Sequence, residues 1–133
     1  VPGANAALCA LIASGLPTYP FFFGGFLPKS KRNRREQLEQ WQHIPATIIL
    51  YEAPHRIVEG LKDILAAWGD RPLAAARELT KLHEEFYRGT VSGCLEWLET
   101  NSPRGEFCLV LGKIPKRELY NQLISEGDGS DND

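Results

Sequence analysis

The sequence predicts an α/β domain, and three observations carry that prediction. Residues 47–51, 73–76 and 107–111 are continuous apolar or β-branched runs, the mark of strands buried on both faces. Between the first two, Ile57, Val58, Leu61, Ile64, Leu65 and Trp68 recur at helical spacing and make one apolar stripe. Strand, helix and strand within about thirty residues form a βαβ unit, so the strands at 47–51 and 73–76 should be parallel.

The remaining elements follow in order. Residues 4–14 are apolar on every side and alanine-rich, which suits a helix buried against a second layer or domain. Gly15 is a plausible stop, with Pro17 beyond it. Residues 19–27 are aromatic and bounded by Pro20 and Pro28, as in a strand, and Gly24-Gly25 suggests a bulge or a close approach to the backbone. Residues 30–43 read as a helix with a sparse apolar face, Leu38 and Trp41. Pro54 suits the first turn of the helix that follows the 47–51 strand, and Gly69-Asp70 ends that helix. Phe86-Tyr87 is a short strand candidate, and Thr90 can cap a helix carrying Val91, Cys94, Leu95 and Leu98 on one face. The expected core is Leu50, Leu61, Leu65, Ala75, Leu95, Leu98, Phe107 and Val110. Order becomes doubtful from Ile114, and the acidic stretch 126–133 is expected to be disordered.

Composition narrows the class. With 43% hydrophobic and 24% charged residues the chain can build a core, which excludes wholesale disorder, and its 133 residues match one domain. No apolar run approaches the length of a membrane helix. Cys9, Cys94 and Cys108 are too scattered for a disulfide scaffold and suggest a reducing cytoplasm. The net charge of −2 gives no global attraction to nucleic acid, so any such signal must be local. The chain has no methionine and opens on Val1-Pro2-Gly3, which reads as a strand end and a turn. The expectation is a piece of a longer protein, with half of the working site ahead of Val1.

The chemistry lies after the strands. Ligands of open α/β sheets bind outside the carboxyl ends of parallel strands. One such end carries Glu52, His55 and Arg56, and the next carries Arg77, Glu78, Lys81, His83, Glu84 and Glu85. Parallel strands would bring both clusters to one cleft, able to orient a hydroxyl, bind a phosphate or tune a base. The plainer readings are a solvated His55 and Arg56, and a structural ion pair of Arg77 with Glu78. No metal site is expected, because His83 lacks a second histidine at helical spacing and no cysteine pair has ligand spacing. Separately, Lys29, Lys31, Arg32, Arg34 and Arg35 crowd the start of a predicted helix, where the dipole disfavours cations unless an anion is bound. They are either a phosphate-binding surface or merely a solvated face.

Five segments in order, 1–6 (VPGANA), 22–28 (FFGGFLP), 51–56 (YEAPHR), 76–90 (ARELTKLHEEFYRGT) and 105–107 (GEF), resemble the C-terminal half of the ribosomal RNA small subunit methyltransferase I family. That family is the 16S rRNA cytidine 2′-O-methyltransferase branch of the tetrapyrrole methylase superfamily, and the resemblance covers about residues 1–113. It implies a mixed, five-stranded α/β sheet with flanking helices. Residues 1–15 would form the inter-lobe helix, 16–113 the C-terminal lobe and 114–133 a tail outside the resemblance. It further implies S-adenosylmethionine bound between two lobes, 16S rRNA of the small ribosomal subunit as substrate, a homodimer in the cytoplasm, and no membrane. The fragment would be inactive without its N-terminal lobe.

Carried over by position, the resemblance assigns Gly3, Ala4, Tyr51, Arg77 and Leu111 to the cofactor, mostly through backbone. It assigns Glu78, Glu52 and His83 as candidates for activating the ribose hydroxyl, with Glu78 favoured. It assigns His55, Arg56 and Lys81 to the substrate, and the cations Lys29, Lys31, Arg32, Arg34 and Arg35 would meet rRNA phosphates. A porphyrin or corrin methylase lobe, or a non-catalytic RNA-docking or dimerisation domain, are the competing readings. The cofactor cleft is expected at the strand ends, apart from the start of the basic helix.

Overall fold

The computed structural model describes residues 4–18, 20–80, 83–113, 121 and 123–125, with the elements α1 (Ala4–Ala13), β1 (Phe21–Phe26), α2 (Lys31–Trp41), β2 (Thr47–Glu52), α3 (Ile57–Trp68), β3 (Pro72–Thr80), β4 (His83–Thr90), α4 (Val91–Thr100) and β5 (Glu106–Leu111). The five strands form one mixed sheet in the order β1-β2-β5-β3-β4. β1 and β2 are parallel, β5 is antiparallel to both β2 and β3, and β4 is antiparallel to β3. β2 and β3 therefore point the same way, as the βαβ pattern requires, but β5 lies between them. Both were legible as strands buried on two faces because alternate residues of each pack into the α2–α3–α4 layer on one side and against α1 on the other.

Strand alternation divides the core into two layers. On one face Ile48, Leu50, Leu73, Ala75, Phe107, Leu109 and Leu111 pack under α2, α3 and α4, with Leu38, Leu61, Ile64, Trp68 and Cys94. Full burial of one such aliphatic side chain is worth about 1.5–3 kcal/mol. The indole Nε1 of Trp68 donates to the Leu38 carbonyl at 2.7 Å and ties α3 to α2. On the other face Ile49, Tyr51, Ala74, Ala76, Cys108 and Val110 meet Ala7, Ala10 and Leu11 of α1.

Most core expectations stand, with two differences. Leu65 and Leu95 are only partly buried, at the margin of the larger layer. Val110 is buried, but against α1 on the opposite face from the other expected core residues. α1 itself is covered on one side only: Ile12 is 74% exposed and Cys9 is exposed. The larger uncovered apolar surface is on β1, where Phe21, Phe23 and Phe26 are each about half exposed.

Local signals resolve as follows. Ser30 caps α2, its hydroxyl accepting from the Asn33 amide at 3.2 Å. The register of β1 slips between Phe23 and Gly25, the expected bulge. A β-carbon at Gly24 would lie 2.7 Å from Leu50 and 2.8 Å from Trp41, so only glycine lets the bulge press onto the core. Thr90 caps α4 through the Gly93 amide, and Asp70 accepts from both the amide and the hydroxyl of Ser92. Pro54 stands in a turn ahead of α3, not in its first helical turn, because the Arg56 amide bonds the Ala53 carbonyl and the helix starts at Ile57. The short strand expected at Phe86-Tyr87 extends over His83–Thr90, since pairing with β3 supports polar residues that carry no apolar pattern of their own. The expected disorder at 126–133 falls outside the described residues.

Burial pushes the Cys94 and Cys108 thiols up to about 12, Glu84 adding to the effect at Cys108. Native protein treated with a thiol reagent at pH 8 should therefore label one cysteine quickly, the exposed Cys9. Peptide mapping should show Cys94 and Cys108 labelled only after denaturant is added. Rapid native labelling of either would contradict the two-layer packing.

Candidate functional site at the carboxyl edge of the sheet

A single row of register, Phe26–Tyr51–Cys108–Ala76–Phe86, crosses all five strands just inside one edge. β1, β2 and β3 all deliver their carboxyl ends to that edge. Helices α2 and α3 follow β1 and β2 directly, so both begin there. The basic run is consequently at the strand-end edge, against the expectation that the cleft and the basic helix start lie apart. The cause is the short β1–α2 connection, only residues 27–30.

The pleat separates the two predicted clusters. β3 continues past Ala76 to Thr80, so Arg77 and Glu78 are strand residues rather than loop residues and point to opposite faces. Glu52 and Arg77 lie on the helical face, each opposite Phe107 of β5. Glu78 lies on the α1 face, exposed, in register with Glu106 on one side and Glu84 on the other. His83 is exposed at the hairpin, in register with Thr80.

Arg77 does not pair with Glu78. It is 5% exposed, forms a salt bridge to Glu85, donates through Nη1 to the Ser102 carbonyl at 2.6 Å, and stacks 4.8 Å from the Trp97 ring. Its guanidinium is thus a structural post between β3, β4 and the α4–β5 connection. Any contact with a cofactor there would be through backbone.

Glu52 is turned inward as well. It is 6% exposed, and its Oε1 accepts from the Ala53 amide at 3.1 Å. A β-carbon at Gly60 would lie 2.8 Å from its Oε2, so the glycine in the first turn of α3 makes room for the carboxylate. Burial raises its pKa, with Ala53, Arg34 and Arg56 acting in the opposite direction. Glu52 shapes the 53–56 turn from beneath and is not open to the edge.

The basic run also divides. Lys29, Lys31, Arg32 and Arg35 are exposed, and Arg32 makes an i,i+4 pair with Glu36 at 3.5 Å. Arg34 is 3% exposed and faces α3, bonding Asp63 at 2.6 Å and the Lys29 carbonyl at 3.2 Å, with Glu59 at 3.3 Å. It cannot belong to a phosphate-binding surface. His55 is exposed and Arg56 half-buried at the start of α3, so these two join the four outward cations along the edge.

Two cofactor assignments fare differently from expectation. Leu111 is fully buried and pairs with Ile48 and Leu73. Because β5 runs antiparallel, its carboxyl end lies at the far edge, some 13 Å from the site at about 3.3 Å per residue, and Leu111 cannot share it. Tyr51 is at the correct edge but 4% exposed, covered by Phe23 and Phe26, whose rings stand 5.4 Å from its own. Ala4 opens α1. Gly3 and Lys81 lie outside the described residues. Among the described residues, no group of histidine, cysteine or carboxylate side chains could hold a metal ion.

Sequence reasoning missed Asp63 and Arg104, and did not foresee that Glu85 is the partner of Arg77. Asp63 had a signal: it is a carboxylate on the buried side of the α3 stripe, where only a partnered charge can stand. Arg104 had none, since its place beside Arg77 and Pro54 is set by the path of the α4–β5 connection.

With this geometry in view, comparison with known proteins is decisive for the family. The profile of the family described as Tetrapyrrole (Corrin/Porphyrin) Methylases matches residues 1–94, well over half of the chain. The chain belongs to the tetrapyrrole methylase family. It is 50% identical over 129 residues to the "Ribosomal RNA small subunit methyltransferase I" of Halalkalibacterium halodurans, which spans 94% of this chain and 45% of that protein. It is 52% identical over 111 residues to the protein of the same name from Bacillus subtilis, spanning 84% of this chain and 38% of that one. The chain thus covers less than half the length of these relatives. The X-ray structure of cobalt precorrin-4 methyltransferase, a cobalamin biosynthetic enzyme, superposes with a TM-score of 0.61 at 21% identity, over 84% of this chain and 50% of that one. The tetrapyrrole methylase fold accounts for the mixed five-stranded sheet with its flanking helices.

Removing the Arg34 cation should leave Asp63 buried and unpaired. Arg34→Met should cost about 3–5 kcal/mol in urea unfolding, and adding Asp63→Leu should recover most of it. A loss under about 1 kcal/mol would show that the pair is not desolvated. For Glu52 the sign runs the other way from an ordinary paired carboxylate. Its folded pKa is raised, so the folded state holds the proton more readily, and stability falls as pH climbs from the ordinary value of 4.5 through the folded one. Glu52→Gln keeps the acceptor for Ala53 and should flatten that fall in a urea series from pH 4 to 7.

Proposed function

We propose that this chain is the C-terminal lobe of an S-adenosylmethionine-dependent methyltransferase that methylates a cytidine 2′-hydroxyl of 16S rRNA in the small ribosomal subunit. The observation that carries this reading is the convergence at one edge of three strand ends, two helix starts and the cations Lys29, Lys31, Arg32, Arg35 and Arg56, with the His55 imidazole beside them. An RNA backbone, with a phosphate at every nucleotide, gives a reason for cations spread along the whole edge. The names of the relatives point the same way.

The acidic side of this edge is where the cofactor is proposed to lie. Like charges directly opposite one another in a sheet are destabilising. Glu78 is exposed with Glu84 directly across from it, a pair that suits a bound group carrying a sulfonium and an ammonium. S-adenosylmethionine, when bound, supplies the methyl group. Of Glu78, Glu52 and His83, only Glu78 combines exposure with a place inside the strand-end edge on a rigid strand, and it is the favoured acceptor for the 2′-hydroxyl proton. General-base assistance of this kind is worth about 10²–10⁴-fold. The outward cations hold phosphates and position the subunit, while sequence selection comes from elsewhere. The half-exposed phenylalanines of β1 form the surface against which the rest of a two-lobed enzyme packs, and two such enzymes would make the homodimer. Residues 1–133 alone would then lack half the cleft and transfer no methyl group. The cytoplasm, where ribosomal subunits assemble, is the corresponding location.

The test uses a full-length protein carrying this half, labelled S-adenosylmethionine and immature small subunits. Lys31→Ala with Arg32→Ala and Arg35→Ala should weaken subunit binding and reduce its log–log salt slope by about one unit per lost phosphate contact. Glu78→Ala should leave binding nearly intact and slow transfer at least about 100-fold. Wild-type transfer by the triple variant across a salt series would reduce the cations to a solvated face.

A further inference from the structure

Next to the carboxyl edge, on the helical face, is an open pocket of about 870 Å³ whose walls include Pro54, Arg77, Glu85, Asn101, Ser102 and Arg104. It lies between the 53–56 turn, the β3–β4 hairpin and the 101–105 connection that leads into β5. The acidic cofactor side described above is on the opposite face of the sheet, so this is a separate concavity.

The pocket is rigidly built. Arg77 pins its floor through Glu85, the Ser102 carbonyl and the Trp97 ring. Asn101 closes α4, its amide nitrogen donating to the Trp97 carbonyl at 2.9 Å. Gly105 has φ +76°, and a β-carbon there would fall on the Glu78 carbonyl, so only glycine lets the connection lie against β3. The position of this wall is therefore set by backbone packing rather than by a free loop.

Its charge points to the ligand. Arg77 and Glu85 neutralise each other within the wall. Arg104 is exposed and has no ion-pair partner among the described residues, which leaves the pocket one net positive charge. The Ser102 hydroxyl and the two proline rings, Pro54 and Pro103, add a hydrogen-bonding group and flat apolar surface. One cation, polar groups and apolar walls in a volume of this size match a nucleotide. An A-form duplex presents its bases stacked inside, so only an unstacked single strand can place one here.

We propose that this pocket takes one nucleotide of single-stranded RNA, with its phosphate on Arg104, and so fixes the strand that presents the target ribose at the neighbouring edge. The proposal rests on the RNA-modifying reading and adds to it a subsite on the face away from Glu78.

The experiment is an amide NMR titration of the 133-residue chain with single-stranded hexacytidylate, an RNA duplex of equal length, and inorganic phosphate. Hexacytidylate should shift the amides of residues 101–105, and the duplex should not. Arg104→Ala should weaken hexacytidylate binding about tenfold, as for loss of one hydrogen bond to a charged group, and lower its salt slope by about one unit. Arg104→Lys should restore the slope. Arg104 is exposed, so the variants should keep the wild-type spectrum elsewhere. If hexacytidylate shifts residues 31–35 and leaves 101–105 unmoved, the pocket proposal falls while the RNA reading stands. If none of the RNAs shifts residues 101–105, the pocket proposal falls, and the RNA reading is decided separately by the full-length subunit assay. If phosphate reproduces the shifts with equal affinity and hexacytidylate adds nothing, the nucleotide assignment is overturned.

Discussion

Antiparallel pairing of β5 with β2 on one side and β3 on the other closes the sheet, and every other feature of the site depends on it. β5 supplies Phe107, Leu109 and Leu111 to one core layer and Cys108 and Val110 to the other. Its first residues stand between the ends of β2 and β3, so Glu52 and Arg77 flank Phe107 instead of touching. The separation of the strand-end chemistry into distinct places follows from this one insertion.

A second constraint is the charge buried between helices. Arg34 enters the α2–α3 interface and meets Asp63 and Glu59, and its charge is felt by Glu52 at the end of β2. A buried ion pair of this kind contributes little net stability compared with apolar packing, but losing one partner is costly. What it does here is fix where α2 begins relative to α3. The outward cations on α2 and Arg56 at the start of α3 then keep a constant spacing along the edge. One arginine of a basic run thus serves the fold while its neighbours stay exposed.

The two faces of the edge have opposite character for a simple reason. Residues adjacent in a strand point to opposite sides, so the Arg77-Glu78 pair places a neutralised arginine beneath the helices and an exposed Glu78 carboxylate on the α1 face. The pleat thus keeps the Glu78 carboxylate and the basic rim apart without any loop.

The sequence by itself determined the class of fold, the buried strands at 47–51, 73–76 and 107–111, the caps at Ser30 and Thr90, the bulge at Gly24-Gly25 and the direction of β2 relative to β3. These are local properties: periodicity, side-chain hydrogen bonds to nearby amides and glycine sterics all act within a few residues. It also carried the motifs that place the chain in its family. Only the tertiary structure decided that β5 lies between β2 and β3, that Leu111 ends at the far edge, that Arg34, Arg77 and Glu52 turn inward, and that Glu78 stays open. Each of those depends on a partner 25 or more residues away, or on which side of the pleat a residue falls once register is set. Charged residues look alike in sequence whether solvated or buried. The difference is made by Asp63 lying under Arg34 and Trp97 lying under Arg77, contacts that exist only after the helices have docked on the sheet.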